Sequence, residues 1–457
     1  MTEEPGLARG VSSDEGAESA AGDRTVLQLG VVGDPIFDPM QVSVVDPQQM
    51  ALIDLIADGL TEWDPQRNTW APSLATQIET LDDGRTWRFD LGSATFSDGT
   101  PIAAHDVVRS FQRIMADSLS LPATRLEIVQ SVAAVGEGSV EFVLAEPFAD
   151  FPALVSSPVY GIVPDGALDG TITSGPFVVD ADGVLLSSTT SYGFELVPMA
   201  DEAAAVAAFQ AGQLDIAYVS AGYDGPVSTS TAGSVEVHFA LNTGSTELSD
   251  LEKRRVVVDA VSRTRVTAEA FGDGAGAIGR MIPAALACAA PCGGLAPDEP
   301  VEIGALQIAY VEDPTGREAD LAVALAEELV AAGIPATAEG FTLDGFVDHV
   351  SSGEHDLVRT GWVGLFPSAD SQLSPYVSTS PDNVSAYASA AFDDLIAAAR
   401  TTGGSALYED AQAMLQDDAV VLPIARLHVR ALVSDRVASV ELRHDGSIDL
   451  DSLRLAG

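Results

Sequence analysis

Two adjoining stretches decide how the chain is read: DGLTEWDPQRNTWAPSLATQIETLDDGRTWRFDL (residues 58–91) and FSDGTPIAAHDVVRSFQRI (residues 96–114). In the first, short β-type runs alternate with turn residues, and Asp82-Asp83-Gly84 before TWRFDL is a hairpin signal. In the second, the FSDGT turn leads into a helix predicted over Ala104–Met115. That helix carries Val107, Val108, Phe111 and Ile114 on one face.

Upstream, TVLQLGVV (25–32) predicts a first strand that stops in the breaker-rich GDPIFDP (33–39). Met50, Ile53, Leu55, Ile56 and Leu60 predict a helix over Pro47–Leu60, closed near Gly59. Downstream, SVEFVLA (139–145), GPFVVD (175–180), LLSSTTSYG (185–193) and FELVPM (194–199) read as strands. A helix over Asp201–Gly212 and the strand LDIAYV (214–219) complete a βαβ order, which demands parallel pairing. The second half repeats the logic. VHFALNT (237–243) is a strand, Ser249–Phe271 one helix, LQIAYVED (306–313) a strand and READLAVALAEELVAAG (317–333) an amphipathic helix. ATAEGF (336–341), a helix over Leu343–Ser351 and the strand DLVRTGW (356–362) follow. The late strands VLPIARLHV (421–429) and RALVSDRVASVEL (430–442) read as chain returning to the first layer. Two α/β lobes with crossing strands describe a protein that binds ligands in the cleft between them.

Charge removes whole classes of function. The chain has 457 residues with 22 Lys+Arg against 68 Asp+Glu, a formal charge of −46. Such acidity repels phosphate backbones and anionic headgroups, so neither nucleic acid nor an anionic membrane surface is an expected partner. Lys253 is the sole lysine; a high-salt habitat and genomic base bias account for that equally well. The most apolar helical stretch, Leu321–Ile334, is interrupted by Glu327 and Glu328, so no membrane-spanning run is visible. Residues 2–23 are polar, small and acidic, without aromatics, and read as a disordered tether with no signal peptide in view.

Enzyme chemistry finds little support. The six histidines are His105, His238, His349, His355, His428 and His444, and the HVSSGEH spacing (349–355) matches no zinc pattern. GDGAGAIG (272–279) lacks the Lys and Ser/Thr of a phosphate loop, and capping explains the pairs Asp82-Asp83 and Asp393-Asp394. No catalytic residue, cofactor or metal is expected. Cys288 and Cys292 stand in ALACAAPCGG with no second ligand pair nearby; the spacing leaves a small disulfide or an inert reduced pair.

The two opening stretches resemble the signature block of the family-5 extracellular solute-binding proteins. These are the oligopeptide-, dipeptide- and nickel-binding components of ABC importers. Collinear matches continue through FDP (37–39), GPF (175–177), AAFQAGQLDIA (207–217), FALNT (239–243), the helix bearing Arg254 and Arg263, GWVGLFPS (361–368) and DNVSAYASAAFDDLI (382–396). The resemblance implies a two-lobe, three-domain α/β fold of the periplasmic-binding-protein kind. It comprises a tether (1–23), a discontinuous base (24–46, 171–237, 426–457), an inserted subdomain (47–170) and a second lobe (238–425). It also implies an extracytoplasmic monomer, lipid-anchored or secreted, that hands a peptide or other small molecule to an ABC permease complex. In its peptide binders the ligand lies extended against strand edges. Here these are Arg359, Gly361, Trp362 and Val363 on one side and Asp34, Pro35 and Ile36 on the other.

Two departures stand out. The family's aspartate three residues after the tryptophan, which holds the ligand's ammonium, is Leu365 here. Loss of such a charge-assisted hydrogen bond, worth roughly 1.5–3 kcal/mol, favours a neutral or anionic solute unless Asp370 reaches over. SSTTSYG (187–193) also lacks the family's Arg-Asn before an aromatic pair, and keeps only Tyr192. These departures leave two readings: an importer's receptor, or a diverged cell-envelope scaffold or regulator of the same fold. An oxidising, exported setting carries one direct expectation. Non-reducing peptide mapping of secreted protein should find Cys288 and Cys292 linked, and two free thiols would refute it.

Overall fold

The computed structural model describes residues 24–42, 46–64, 67, 69–117, 120–282, 301–313, 316–363, 368–443 and 448–457. The tether, the two cysteines, Leu365 and His444 lie outside these residues.

Strand β1 (Thr25–Val32) ends at Gly33, whose φ of 81° turns the chain. Helix α1 (Pro47–Ile56) begins under Asp46, whose carboxylate accepts from the Gln48 and Gln49 amides, with Pro47 in the first turn. It stops short of the expected Leu60, since Ala57 is already extended, and beyond it the chain threads Gly59 past backbone. A Cβ at Gly59 would lie 2.9 Å from the Thr61 carbonyl oxygen.

The inserted unit follows. Strands β2 (Thr61–Asp64) and β3 (Thr69–Pro72) form a hairpin. Then come β4 (Ala75–Thr80), β5 (Thr86–Leu91), α2 (Ala104–Met115), α3 (Leu121–Arg125), β6 (Val129–Val135), β7 (Ser139–Leu144) and α4 (Phe151–Leu154). The four strands make an antiparallel sheet in the order β4-β5-β7-β6. The Asp82-Asp83-Gly84 turn joins its first pair, with φ of 51° at Asp83 and 90° at Gly84. Phe89, Phe111, Phe142 and Phe151 fill the space between sheet and helix, with Phe111 and Phe142 meeting edge-on at 4.8 Å.

The chain then builds the base with β8 (Phe177–Val179), β9 (Val184–Ser187), β10 (Tyr192–Met199), α5 (Glu202–Gln210) and β11 (Ile216–Val219). β1 lies between β10 and β11 and runs parallel to both, so α5 is a crossover helix. Tyr192, the aromatic kept from the divergent stretch, is buried and donates to the Leu450 carbonyl at 3.1 Å.

Next come β12 (Thr229–Leu241), α6 (Leu251–Ala260), α7 (Arg263–Phe271), β13 (Ala275–Ala277), β14 (Leu306–Val311), α8 (Arg317–Ala331), β15 (Ala336–Phe341), α9 (Leu343–Ser352), β16 (Leu357–Val363), α10 (Ala369–Leu373), α11 (Ala390–Thr402) and α12 (Ser405–Asp417). Strands β17 (Val421–Val433), β18 (Val437–Leu442) and β19 (Ile448–Leu455) close the chain. The single helix expected over Ser249–Phe271 is two. Val261 is extended, and the Glu328 carboxylate takes the Ser262 N–H that continued helix would have used. Conversely, VLPIARLHV and RALV form one strand, β17, where a break was expected.

One eleven-stranded sheet, in the order β15-β14-β16-β12-β17-β11-β1-β10-β9-β8 with β13 beside β17, runs through both lobes. β12 and β17 are its crossing strands. Their ladder shifts register between Ala232 and Glu236 and again at Val237/His238, the latter opposite Pro423. Proline has no N–H to give, so an irregularity is where a central strand can hold one. Successive β12 side chains serve opposite faces: Val237, Phe239 and Leu241 join Leu321, Leu325 and Leu329 of α8, while Ala240 joins Val358, Tyr376, Phe392 and Leu415.

Arginines tie the helices of this part of the chain together. Arg254 is buried and donates to the Asp418 carbonyl (2.9 Å) beyond α12 and to the Leu248 (2.9 Å) and Ser249 (3.1 Å) carbonyls. Arg255 donates twice to the Asp417 carbonyl. Removing Arg254 strands three carbonyl acceptors at once. Arg254→Ala should lower the unfolding free energy by about 2–4 kcal/mol in denaturant titration, and Arg254→Lys should recover less than half. A loss under about 1 kcal/mol would count against this role.

Candidate functional site

β16 pairs with β12 along its whole length, from Leu357↔Leu241 to Val363↔Val235. Its ladder with β14 covers only Leu357 and Val358. From Arg359 onward the outer edge of β16 carries no ladder partner among the described residues, leaving backbone groups of the RTGWV segment for an extended ligand. Gly361 is required there: a Cβ would meet the Glu236 carbonyl oxygen at 2.6 Å. Trp362 and Val363 are placed by their backbones, and Trp362 stands opposite Glu236 in the ladder.

Arg359 belongs to the opposite task. Its guanidinium grips Glu318 in the first turn of α8, with Nε–Oε2 at 2.8 Å and Nη2–Oε1 at 3.0 Å. The Arg359 cation is therefore engaged within the protein, by an acid from α8.

Asp34, Pro35 and Ile36 follow β1 and are pinned by one buried side chain of α1. The Gln49 amide donates to the Asp34 carbonyl at 3.1 Å and accepts from the Ile36 N–H at 2.9 Å. This copies a strand partner and holds the segment extended, with the Asp34 side chain exposed. Four strand steps separate β1 from β16, about 19 Å at the usual spacing.

Between them lies a charged row that sequence reasoning missed. Glu236 of β12 faces Trp362 of β16 on one side and Arg426 of β17 on the other, and Arg426 in turn pairs with Gly276 of β13. Arg426 Nε donates to Glu236 Oε1 at 3.0 Å, with Nη2 on the same oxygen. Burial lifts the Glu236 carboxyl to about 7 against the pull of Arg426. His238, two residues on, is buried near Tyr376; burial, with the Arg359 charge adding, pushes its imidazole down to about 3, so it is neutral. The available signal was SVEVHFAL (234–241), a strand whose polar positions interrupt an otherwise apolar run.

Other marked motifs serve the scaffold. GDGAGAIG makes a turn and the short edge strand β13. His349 stacks on Phe341, and His355 Nε2 lies 2.8 Å from the Val384 carbonyl. Among the described residues no cluster of three or more His, Cys, Asp or Glu could hold a metal.

The family model "Bacterial extracellular solute-binding proteins, family 5 Middle" matches residues 69–292. The probable di/tripeptide-binding protein 5 of Pseudomonas aeruginosa is 26% identical, over 90% of this chain and 92% of its own. Among solved structures, the periplasmic murein tripeptide binding protein MppA in its unliganded open form superposes with a TM-score of 0.77 at 20% identity, covering 91% of this chain and 94% of that one. Haemophilus influenzae OppA in complex with RPPGFSPFR gives 0.63 at 17% identity, covering 93% and 96%. The chain is similar to the family-5 extracellular solute-binding proteins, by the family model over residues 69–292 and by relatives along most of its length.

Asp370, in the helix that follows β16, is engaged within the protein. Its carboxylate is buried, takes two bonds from Arg400 (2.7 and 3.2 Å) and one from Tyr408 (3.3 Å). The inserted unit touches the second lobe close by: Ser368 Oγ donates to Asp150 Oδ2 at 2.8 Å, and the Ala149 N–H donates to the Arg400 carbonyl at 2.7 Å. Burial holds the Asp150 carboxyl above the ordinary carboxylate value; the Ser368 hydroxyl opposes this and the Asp370 charge adds to it.

A raised value means that folding favours the neutral form. That contribution is whole below the ordinary carboxylate range and is lost as pH rises through the raised value. Asp150→Asn keeps an acceptor for Ser368 without a charge. It should melt above wild type near pH 7 and together with it near pH 4. An equal difference at both values, measured by thermal unfolding, would refute the assignment.

Proposed function

We propose that this protein captures a peptide or peptide-like small solute between its lobes and delivers it to the permease complex of an ABC importer. The single observation that carries the reading is the unpaired outer edge of β16 from Arg359 to Val363, set across the crossing strands from the pinned segment Asp34–Ile36. Extended chains bind such edges by main-chain hydrogen bonds, with affinity independent of most side chains. The ligand closes the lobes by binding the closed arrangement more tightly than the open one. Supporting the choice of solute, relatives of similar length are named for di- and tripeptides, and Helicobacter pylori DppA is described as ABC transporter-associated and in complex with the peptide STSA.

On this reading the base comprises 24–46, 171–237 and 426–457, the inserted subdomain 47–170, and the moving lobe 238–425. The protein works outside the cytoplasm as a monomer, lipid-anchored or secreted, with residues 2–23 as its spacer. Relatives named as periplasmic support that setting, and among the described residues no helix is long and apolar enough to cross a membrane.

Native mass spectrometry of protein purified without denaturation should reveal a co-purifying small molecule. Calorimetry with di- to pentapeptides should give micromolar or tighter binding. No retained solute and no peptide binding would overturn the reading in favour of a non-transport scaffold.

A further inference from the structure

Glu236 is the acidic side chain set into the strands that join the lobes, and it is 1% exposed. Its Oε1 is taken by Arg426, while Oε2 is buried and has no hydrogen-bond partner among the described residues. Nδ1 of His238, on the same strand face, is likewise unpartnered. The row ends on one side at Gly276, which has no side chain to offer, and on the other at the Trp362 position of the open β16 edge. A buried carboxylate oxygen without a donor is an unfavourable arrangement that an arriving donor relieves.

We propose that Glu236 Oε2 accepts the cationic amino group of the bound peptide or peptide-like ligand, filling the role that Leu365 leaves vacant. The assignment rests on the capture reading above. It reverses the preference for neutral or anionic solutes expected from Leu365. The carboxylate comes instead from β12, the strand paired with β16 on the side away from its open edge, so it lies one strand inward of the edge where an extended ligand would lie. Arg426 holds the carboxylate by its other oxygen, and thereby leaves Oε2 aimed away from β17's guanidinium.

The groups facing Glu236 fix the pH behaviour. Arg426 on β17 is paired with Glu236 itself, His238 on its own strand stays neutral, and Arg359 on β16 is bound by Glu318. Glu236 is thus the group of this set that changes charge near neutrality. As pH falls below its raised value the carboxyl protonates, and affinity for a cation falls with it.

The test compares trialanine with N-acetyl-trialanine on wild type and Glu236→Gln by calorimetry near pH 7.5. Trialanine should bind the variant at least tenfold more weakly, with the acetylated peptide changed less than twofold. Wild type alone gives a second readout that needs no variant: the ratio of trialanine to acetyl-trialanine affinity should fall as pH drops from about 7.5 to about 5.5. Equal effects on both peptides, or none on either together with a flat ratio, would overturn the role of Glu236 and leave peptide capture standing. Binding of neither peptide by wild type would instead overturn the capture reading, and this assignment with it.

Discussion

The ladder between β12 and β17 is the constraint on which the rest of the molecule depends. Each strand is thirteen residues long, and together they carry one sheet from the first lobe into the second. Near Thr229–Ala232, β12 meets the end of β17 that also pairs with β11 of the base. Near Glu236–Ala240 it meets the start of β17 and the whole of β16. The lobes are therefore not beads on a linker. Any motion between them must bend a hydrogen-bonded ribbon, whose register shifts between Ala232 and Glu236 and again at Val237/His238, opposite Pro423.

Arginine is the second organising element. The chain has 22 basic residues, of which Lys253 alone is lysine. Many of the arginines reach inward with a planar fork. Arg254 and Arg255 collect carbonyls at the end of α12, Arg263 takes the Pro423 carbonyl, Arg400 clamps Asp370, and Arg359 clamps Glu318. A lysine ammonium makes bonds to one or two of these acceptors but cannot copy the paired geometry. With its cations engaged in this way, the protein presents a strongly acidic surface. Long-range attraction then works against anionic partners.

Much of this architecture was legible in the sequence. Hydrophobic period identified most strands and helices, because burial on one face leaves a repeat of two or 3.6. α2 and β15 fall on the expected residues, and the parallel crossover through α5 follows from strand-helix-strand order. What was not legible depends on partners distant in sequence. The break at Val261-Ser262 exists because Glu328, 66 residues away, bonds the Ser262 N–H. The continuity of β17 is set by β12 and β11 on either side, which override the turn-prone look of its middle. At the site, the family pattern pointed to β16 and the segment after β1. It could not show that Arg359 faces Glu318, since that depends on which side of a pleat meets which helix. Glu236 was overlooked for the same reason: period two puts it on a face, but only the neighbouring strand shows what that face adjoins.

Placement on the crossing strands also bears on how a ligand drives closure. A ligand shifts the lobe equilibrium only through contacts that differ between the open and closed arrangements. Glu236 and Arg426 belong to the ribbon shared by both lobes, so a bond to them can form before the jaws meet and remain afterwards. Such a bond raises affinity in both states and biases neither. On the proposed reading the bias comes from contacts outside this ribbon, such as the segment held by Gln49 and the seam where Ser368 reaches Asp150. Recognition and closure are thus assigned to different residues. A solute held only by the central row would dock without closing the protein, whereas one long enough to span about four strand spacings could do both.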